Sequence, residues 1–198
     1  MKKILLLVFV IVAAWKLFVA DVPVVLGPGM MVMDAPKQTA IEMTQAFDFN
    51  NYQITPLANF DIKAKVLSKN NYRLGRESDL SPIDLALGWQ SMSDETVLND
   101  IEITQSNRWY HWRVRDFPIP RSEIETQSAN MHLIPATKSL ESMIKQVKQG
   151  EVIEMRGYLV RVNAKDGWSW QSSLTRNDTG AHACELLFVE SFNISAER

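Results

Sequence analysis

The chain's pattern predicts an α+β fold: an N-terminal transmembrane helix followed by a sheet-dominated, barrel-like antiparallel β domain with a few short helices. Three observations predict it. An unbroken apolar run, Ile4 to Trp15, stands behind Lys2 and Lys3, and Leu17 to Ala20 resume it after Lys16. Downstream, runs with strand-like alternation outnumber runs with helical spacing. Gly157 interrupts the long run from Val152 to Val162, where a strand of a small barrel has to bend sharply.

Two lysines ahead of a long apolar stretch are read by a secretion apparatus as an export signal or a signal anchor. Ile4 to Ala20 supplies 17 residues, close to the roughly 20 that span a bilayer. Lys16 can extend its ammonium to the outer interface. A cleaved signal is the alternative, but Phe18 stands where cleavage before Asp21 would need a small residue. The expectation is therefore a single-pass inner-membrane protein with its C-terminal domain in the periplasm. Residues 1–20 form the anchor, 21–40 an extended linker or arm, and 41–198 one extracytoplasmic domain.

With Lys2, Lys3 and Lys16 set aside, 18 of the 21 basic residues face 23 acidic ones, a formal charge of −5. That excludes a general nucleic-acid binder, which needs a basic footprint to displace counterions. A chain 46% hydrophobic and 22% charged is globular rather than disordered. Cys184 is the one cysteine, so no intramolecular disulfide staples the fold.

Along the chain, Pro23, Gly27, Pro28, Gly29 and Pro36 punctuate the arm. Its Val24, Val25, Leu26 and Met30 to Met33 suit docking on the domain or the membrane surface better than a free tether. Phe60, Ile62, Ala64 and Val66 alternate with polar residues as a half-buried strand. Ser81-Pro82 is expected to open a short helix through Leu87, stopped by Gly88, and Ser93 to cap another. Ile101–Ile103 and Trp109–Val114 read as strands. Thr137 or Ser139 starts a helix with Leu140, Met143, Ile144 and Val147 on one face and Gly150 past its end. Val152–Val162, Trp168–Leu174 and Ala183–Phe192 finish the chain as strands. Asp166-Gly167 forms a two-residue hairpin turn with positive φ at both positions.

Gly150 to Val160 (GEVIEMRGYLV) resembles a strand of an oligonucleotide/oligosaccharide-binding barrel, over about fifty residues of the C-terminal half. Ser81–Trp89 (SPIDLALGW), Ser128–Ala136 (SANMHLIPA) and Asp166–Glu185 resemble a group of uncharacterised bacterial membrane-anchored envelope proteins. That resemblance implies the compartment and a single domain, and no activity.

Two constellations can carry chemistry. Cys184 and His182 are two apart on a strand and share a face, so they can form a thiol–imidazole pair, with His132 as an alternative base and Asp178 or Asn130 to orient it. Against this, Cys184 shares its face with Leu186 and Phe188, which predicts a buried, inert thiol. The same three side chains are competent zinc ligands, but the spacing matches no metal motif, and neither a metal nor another cofactor is expected. The second constellation is aromatic: Trp109, Trp112, Trp168 and Trp170, with Arg113 and Arg176, can stack a sugar ring and pair with an anion. The function that fits best is a membrane-anchored extracytoplasmic binding or assembly module. It would hold the inner membrane through residues 4–20 and an envelope protein or saccharide through its domain. A Cys/His-dependent hydrolase or transferase acting on an envelope substrate is the alternative, and whether the chain is an enzyme stays open.

Overall fold

The computed structural model describes residues 22–42, 45–175 and 184–195. Among the described residues ten strands follow in chain order: β1 (Lys37–Ala40), β2 (Phe47–Phe49), β3 (Tyr52–Asn71), β4 (Ile83–Gly88), β5 (Ile101–Ser106), β6 (Trp109–Val114), β7 (Ser128–Pro135), β8 (Val152–Ala164), β9 (Ser169–Gln171) and β10 (Glu185–Ile194). Between them lie four short helices, α1 (Arg76–Leu80), α2 (Glu95–Leu98), α3 (Arg121–Thr126) and α4 (Lys138–Gln146), and a 3₁₀ turn at Gln90–Ser93. The fold is sheet-dominated α+β, as the alternation in the sequence predicts. Among the described residues no helix is long and apolar enough to cross a membrane. The anchor segment, residues 1–20, lies outside the described residues.

The long strand β3 organises the molecule. Its first part pairs antiparallel with β8 from Tyr52↔Ala164 to Lys65↔Val152, and its last part pairs with β4 from Lys65↔Gly88 to Asn71↔Ile83. Pairing then runs from β4 to β7, from β7 to β10 and from β10 to β8. Pro56 sits inside β3 because its other edge is unpaired there: β2 takes Tyr52–Ile54 and β1 takes Ala58–Asp61. A residue without an N–H is tolerated at such a step, and the register shifts beside it, between Pro56 and Ala58.

The sheet is mixed rather than antiparallel throughout. β10 runs parallel to β7, from Glu185↔Met131 to Val189↔Pro135. Parallel neighbours need a crossover, and α4 with β8 and β9 provides the intervening chain. Thr137 caps α4 by accepting from the Leu140 amide, and Ile144 and Val147 are buried beneath it, while Met143 stays 40% exposed. At Gly157 the backbone of β10 lies close over β8: a Cβ there would lie 1.8 Å from the Phe188 carbonyl oxygen. The partner strand bulges at this point, between Val189 and Ser191.

Three apolar clusters fill the fold. The largest joins the inward residues of β3, β4, β7, β8 and β10 with Trp89 and with Ile144 and Val147 from the helix. A second lies where Phe47 and Phe49 meet Phe188 edge to face, at 5.1 and 5.2 Å. The third lies under the β5–β6 hairpin, around Leu67, Ala86, Met92, Ile101 and Ile124.

The arm docks on the domain. Val32 is 2% exposed and belongs to the main cluster, and Leu26 and Met31 pack against it. The Val24 amide donates to the Gln149 carbonyl, and the Met31 and Val32 amides both donate to Ser93 Oγ. Ser93 therefore clamps the arm, and the cap of the following helix falls to Asp94, which accepts from the Thr96 amide.

The helix expected over Ser81–Leu87 is instead strand β4, all six of whose residues are buried. A strand covered on both faces loses its alternation and reads as a continuous apolar run, which periodicity cannot tell from a helix. The helical turn falls just before it, at Arg76–Leu80.

Candidate functional site

An acid in the middle of the buried strand β4 needs partners. Asp84 is fully buried, and it finds them from two directions. Arg108 Nη1 donates to Asp84 Oδ1 at 2.8 Å. His132 Nδ1, on the neighbouring strand β7, lies 2.9 Å from Asp84 Oδ2. That contact is close without being aligned as a hydrogen bond, and neither atom has another hydrogen-bonding partner among the described residues. The cross-strand register explains the pairing, since Asp84 and His132 are directly opposite in the antiparallel β4–β7 ladder.

Arg108 reaches Asp84 from the tip of the β5–β6 hairpin. Ser106 pairs with Trp109, so Asn107 and Arg108 form a two-residue turn, with φ of 50° and 68°. Both angles are positive, as the tightest hairpin turns require. An arginine held in the left-handed region is uncommon, and its anchoring explains it. Nη2 donates to the Ser81 carbonyl at 2.9 Å, the guanidinium stacks 4.0 Å from the Tyr72 ring centroid, and the Arg108 amide donates to the Tyr72 hydroxyl. Burial, reinforced by the Asp84 charge, pushes the Tyr72 phenol above its ordinary range. Asn130 braces the turn from beneath: its Nδ2 donates to the Arg108 carbonyl at 3.1 Å, and its Oδ1 accepts from Gln105 Nε2.

These groups floor an open cavity of about 540 Å³ lined by Tyr72, Leu74, Glu77, Asn107, Arg108, Trp109, His132, Trp170, Gln171 and Cys184. Leu74 (91% exposed) and Trp109 (39% exposed) stand at its rim. Trp170 lies against His132, with ring centroids 5.0 Å apart, and within 5.6 Å of the Arg108 guanidinium.

The expected aromatic set is only partly brought together. Trp109 and Trp170 share the cavity. Trp168 stacks against Trp170 at 6.2 Å and under the Arg76 guanidinium at 4.7 Å, beside the cavity rather than in it. Trp112 points to the opposite face of β6, where it meets Phe117 at 6.1 Å and takes part in the third apolar cluster. Arg113 is a solvated side chain 3.6 Å from Glu102. Strand alternation separates these neighbours in sequence, because successive residues of β6 face opposite sides. Arg176, Asp178 and His182 lie outside the described residues.

Cys184 departs from the expected burial. It stands just before β10, only partly covered, and lines the cavity. Its Sγ lies 3.9 Å from Asn130 Nδ2 and 4.0 Å from the Arg108 carbonyl oxygen, contacts at the long limit for sulfur. The apolar face predicted from Leu186 and Phe188 holds for those two residues, which are buried, but it ends before Cys184 because the strand begins at Glu185. Among the described residues no group of three His, Cys, Asp or Glu side chains is placed to hold a metal ion.

Asp84 is the residue that motif reasoning passed over. The signal for it was an acid enclosed by Ile83, Leu85, Ala86 and Leu87: a carboxylate almost never enters such a run without a partner. Comparison with protein-family models, with curated proteins and with solved structures finds no match to this chain.

Proposed function

We propose that the chain is a membrane-anchored extracytoplasmic binding module whose cavity between Tyr72, Trp109 and Trp170 takes an envelope saccharide. The observation that carries this reading is the lining itself. Three aromatic rings stand beside the polar groups of Asn107, Arg108, Gln171 and Glu77 in one open depression. Aromatic faces stack on the apolar faces of sugar rings, and planar polar groups bond to hydroxyls. The backbone of the β5–β6 turn is held in a costly conformation, and strain of that kind clusters where a ligand is gripped.

The strand order supports the same reading. The pairing path β3–β4–β7–β10–β8 that returns to β3, with β7 and β10 parallel, is the order we read as a half-closed barrel of the oligonucleotide/oligosaccharide-binding type. In that fold the second and third strands and the loops after the first and fourth strands carry ligands. Here those pieces are β4, β7, the Tyr72–Pro82 connection and the segment around β9, and all but β4 contribute residues to the cavity lining. The charge balance of the exported part favours a saccharide over a nucleic acid. Anchoring through residues 4–20 would keep the module at the outer face of the inner membrane, as the N-terminal sequence suggests.

Titration of the detergent-solubilised full chain with N-acetylhexosamine oligosaccharides, followed by tryptophan fluorescence, tests the proposal. Binding is expected to weaken about tenfold or more in Trp170→Ala and Trp109→Ala, as loss of a stacking platform predicts. Absence of binding, or binding indifferent to both substitutions, would overturn it.

A further inference from the structure

We propose that Cys184 is a nucleophile served by the Asp84–His132 pair, and that it accepts an acyl group from a ligand held in the cavity. This rests on the cavity being a ligand site and adds covalent chemistry to it.

Three independent features converge. First, the thiol faces the cavity instead of the core. Second, the imidazole lines the same cavity although its side chain is only 5% exposed. Its Nδ1 is the buried atom directed at Asp84, which leaves Nε2 as the ring nitrogen for proton transfer. Trp170 packs on the ring and restrains its rotation. Third, the parallel register of β10 on β7 sets Glu185 beside Met131 and Leu186 beside His132, which places Cys184 next to Asn130. Asn130 and His132 are two apart on β7 and share its face, and Cys184 and His132 both line the cavity. The amide of Asn130, 3.9 Å from Sγ, is an N–H donor standing beside the nucleophile.

The roles follow from these positions. His132 Nε2 takes the Sγ proton as sulfur bonds to the acyl carbonyl carbon. The tetrahedral adduct collapses, its bond to the leaving oxygen or nitrogen breaks, and His132 returns the proton to that leaving group. A water molecule then gives its proton to His132 and attacks the thioester, releasing a carboxylic acid and restoring the thiol. Asp84 is a positioning residue: its Oδ2 lies 2.9 Å from Nδ1, while its other oxygen is engaged by Arg108.

The test uses p-nitrophenyl acetate with the solubilised full chain. Release of p-nitrophenolate and the mass of the Cys184-containing peptide are followed across pH. The expected result is acetylation of Cys184 faster than in the urea-unfolded chain, absent in Cys184→Ser, and slowed roughly 100-fold in His132→Gln. The pH–rate profile should show an inflection that His132→Gln removes while the melting temperature is kept. Should that variant fail to fold, the wild-type profile decides: a rate that tracks thiolate formation alone, with no second inflection, overturns the proposal. So does acetylation no faster than in the unfolded chain, or equal in His132→Gln. Cys184→Ser separates the two readings. Oligosaccharide binding retained without acylation of the wild type sinks the thiol step alone, whereas loss of all dependence on Trp109 and Trp170 sinks the cavity reading.

Discussion

Two hairpin tips, one lining the cavity and one beyond Trp168, both place a residue in the left-handed backbone region. At the β8–β9 tip that residue is Gly167, with φ of 91°. At the β5–β6 tip it is Arg108, with φ of 68°, following Asn107. Around Gly167 a Cβ would meet nothing within 4 Å, so the glycine is there for its backbone freedom alone. Arg108 carries the same conformation with a full side chain, and that side chain enters the protein to reach Asp84, Ser81 and Tyr72. One turn is a geometric solution to reversing a chain. The other spends conformational strain to hold a charged group over a ligand-sized opening.

The ion pairs beside the two tips differ in the same way. Asp166, next to Gly167, accepts both guanidinium nitrogens of Arg76 at 2.8 and 2.9 Å. The Arg76 guanidinium holds the Asp166 carboxyl below its ordinary range. Both partners are solvated, so the pair is screened by salt and contributes little. Asp84 is sealed from water, and the Arg108 side chain is 17% exposed. Taking away one member of such a pair strands the other in a low-dielectric interior.

The largest effect should therefore follow Arg108→Ala. We expect a loss of about 3–5 kcal/mol in urea unfolding, because Asp84 is left without its cation. Combining it with Asp84→Asn should restore part of that loss. A cost below about 1 kcal/mol would show that the two tips are equivalent and that the arginine is ornamental to the fold.

A smaller effect is expected at the other tip. Gly167→Val should lower stability by about 1–2 kcal/mol, the price of a β-branched residue in the left-handed region, and Gly167→Asn by less. No steric term adds to it, since the space around the position is open. Equal melting temperatures for the two variants would contradict the geometry of this turn.

The smallest effect at neutral pH concerns Tyr110, on the inner face of the β5–β6 hairpin. Its hydroxyl bonds to Ser128 Oγ at 3.2 Å, so Tyr110→Phe should cost about 0.5–1.5 kcal/mol. Burial pushes its phenol up from 10.0 to about 12, although the residue as a whole keeps a partly exposed edge. A folded-state pKa above the unfolded value means the unfolded chain ionises first. Stability from this group is complete below pH 10 and is lost as pH rises towards 12. Denaturation curves taken through that window should fall in the wild type and flatten in Tyr110→Phe. Identical slopes would mean that the hairpin's inner face is wet.

Much of the sheet was legible from residues alone. The alternation at Phe60–Val66, the strands at Ile101–Ile103 and Trp109–Val114, and the helix behind Thr137 all declare themselves through period and capping. β4 did not, because burial on both faces erases its period. Asp166-Gly167 signals a hairpin, yet of that pair Gly167 has positive φ and Asp166 does not. The Gly167 amide donates back to the Ala164 carbonyl, so the loop is a longer turn closed by a left-handed glycine. The two-residue turn with both angles positive sits at Asn107-Arg108 instead, where the side-chain anchors of Arg108 hold the backbone in place.

Local chemistry thus determined where the chain alternates, caps and turns, and which residue types were on hand: four tryptophans near arginines, a single thiol and two histidines within reach of it. The tertiary structure decided which of them meet. Strand pairing set Asp84 opposite His132, though 48 positions separate them, and β10 lying parallel on β7 carried Cys184 to Asn130. Alternation on β6 sent Trp109 to the cavity and Trp112 to the apolar cluster beneath the hairpin. Period and propensity act over a few residues, whereas a site is assembled by register between distant strands, and register follows from how the whole set of apolar faces closes on one core.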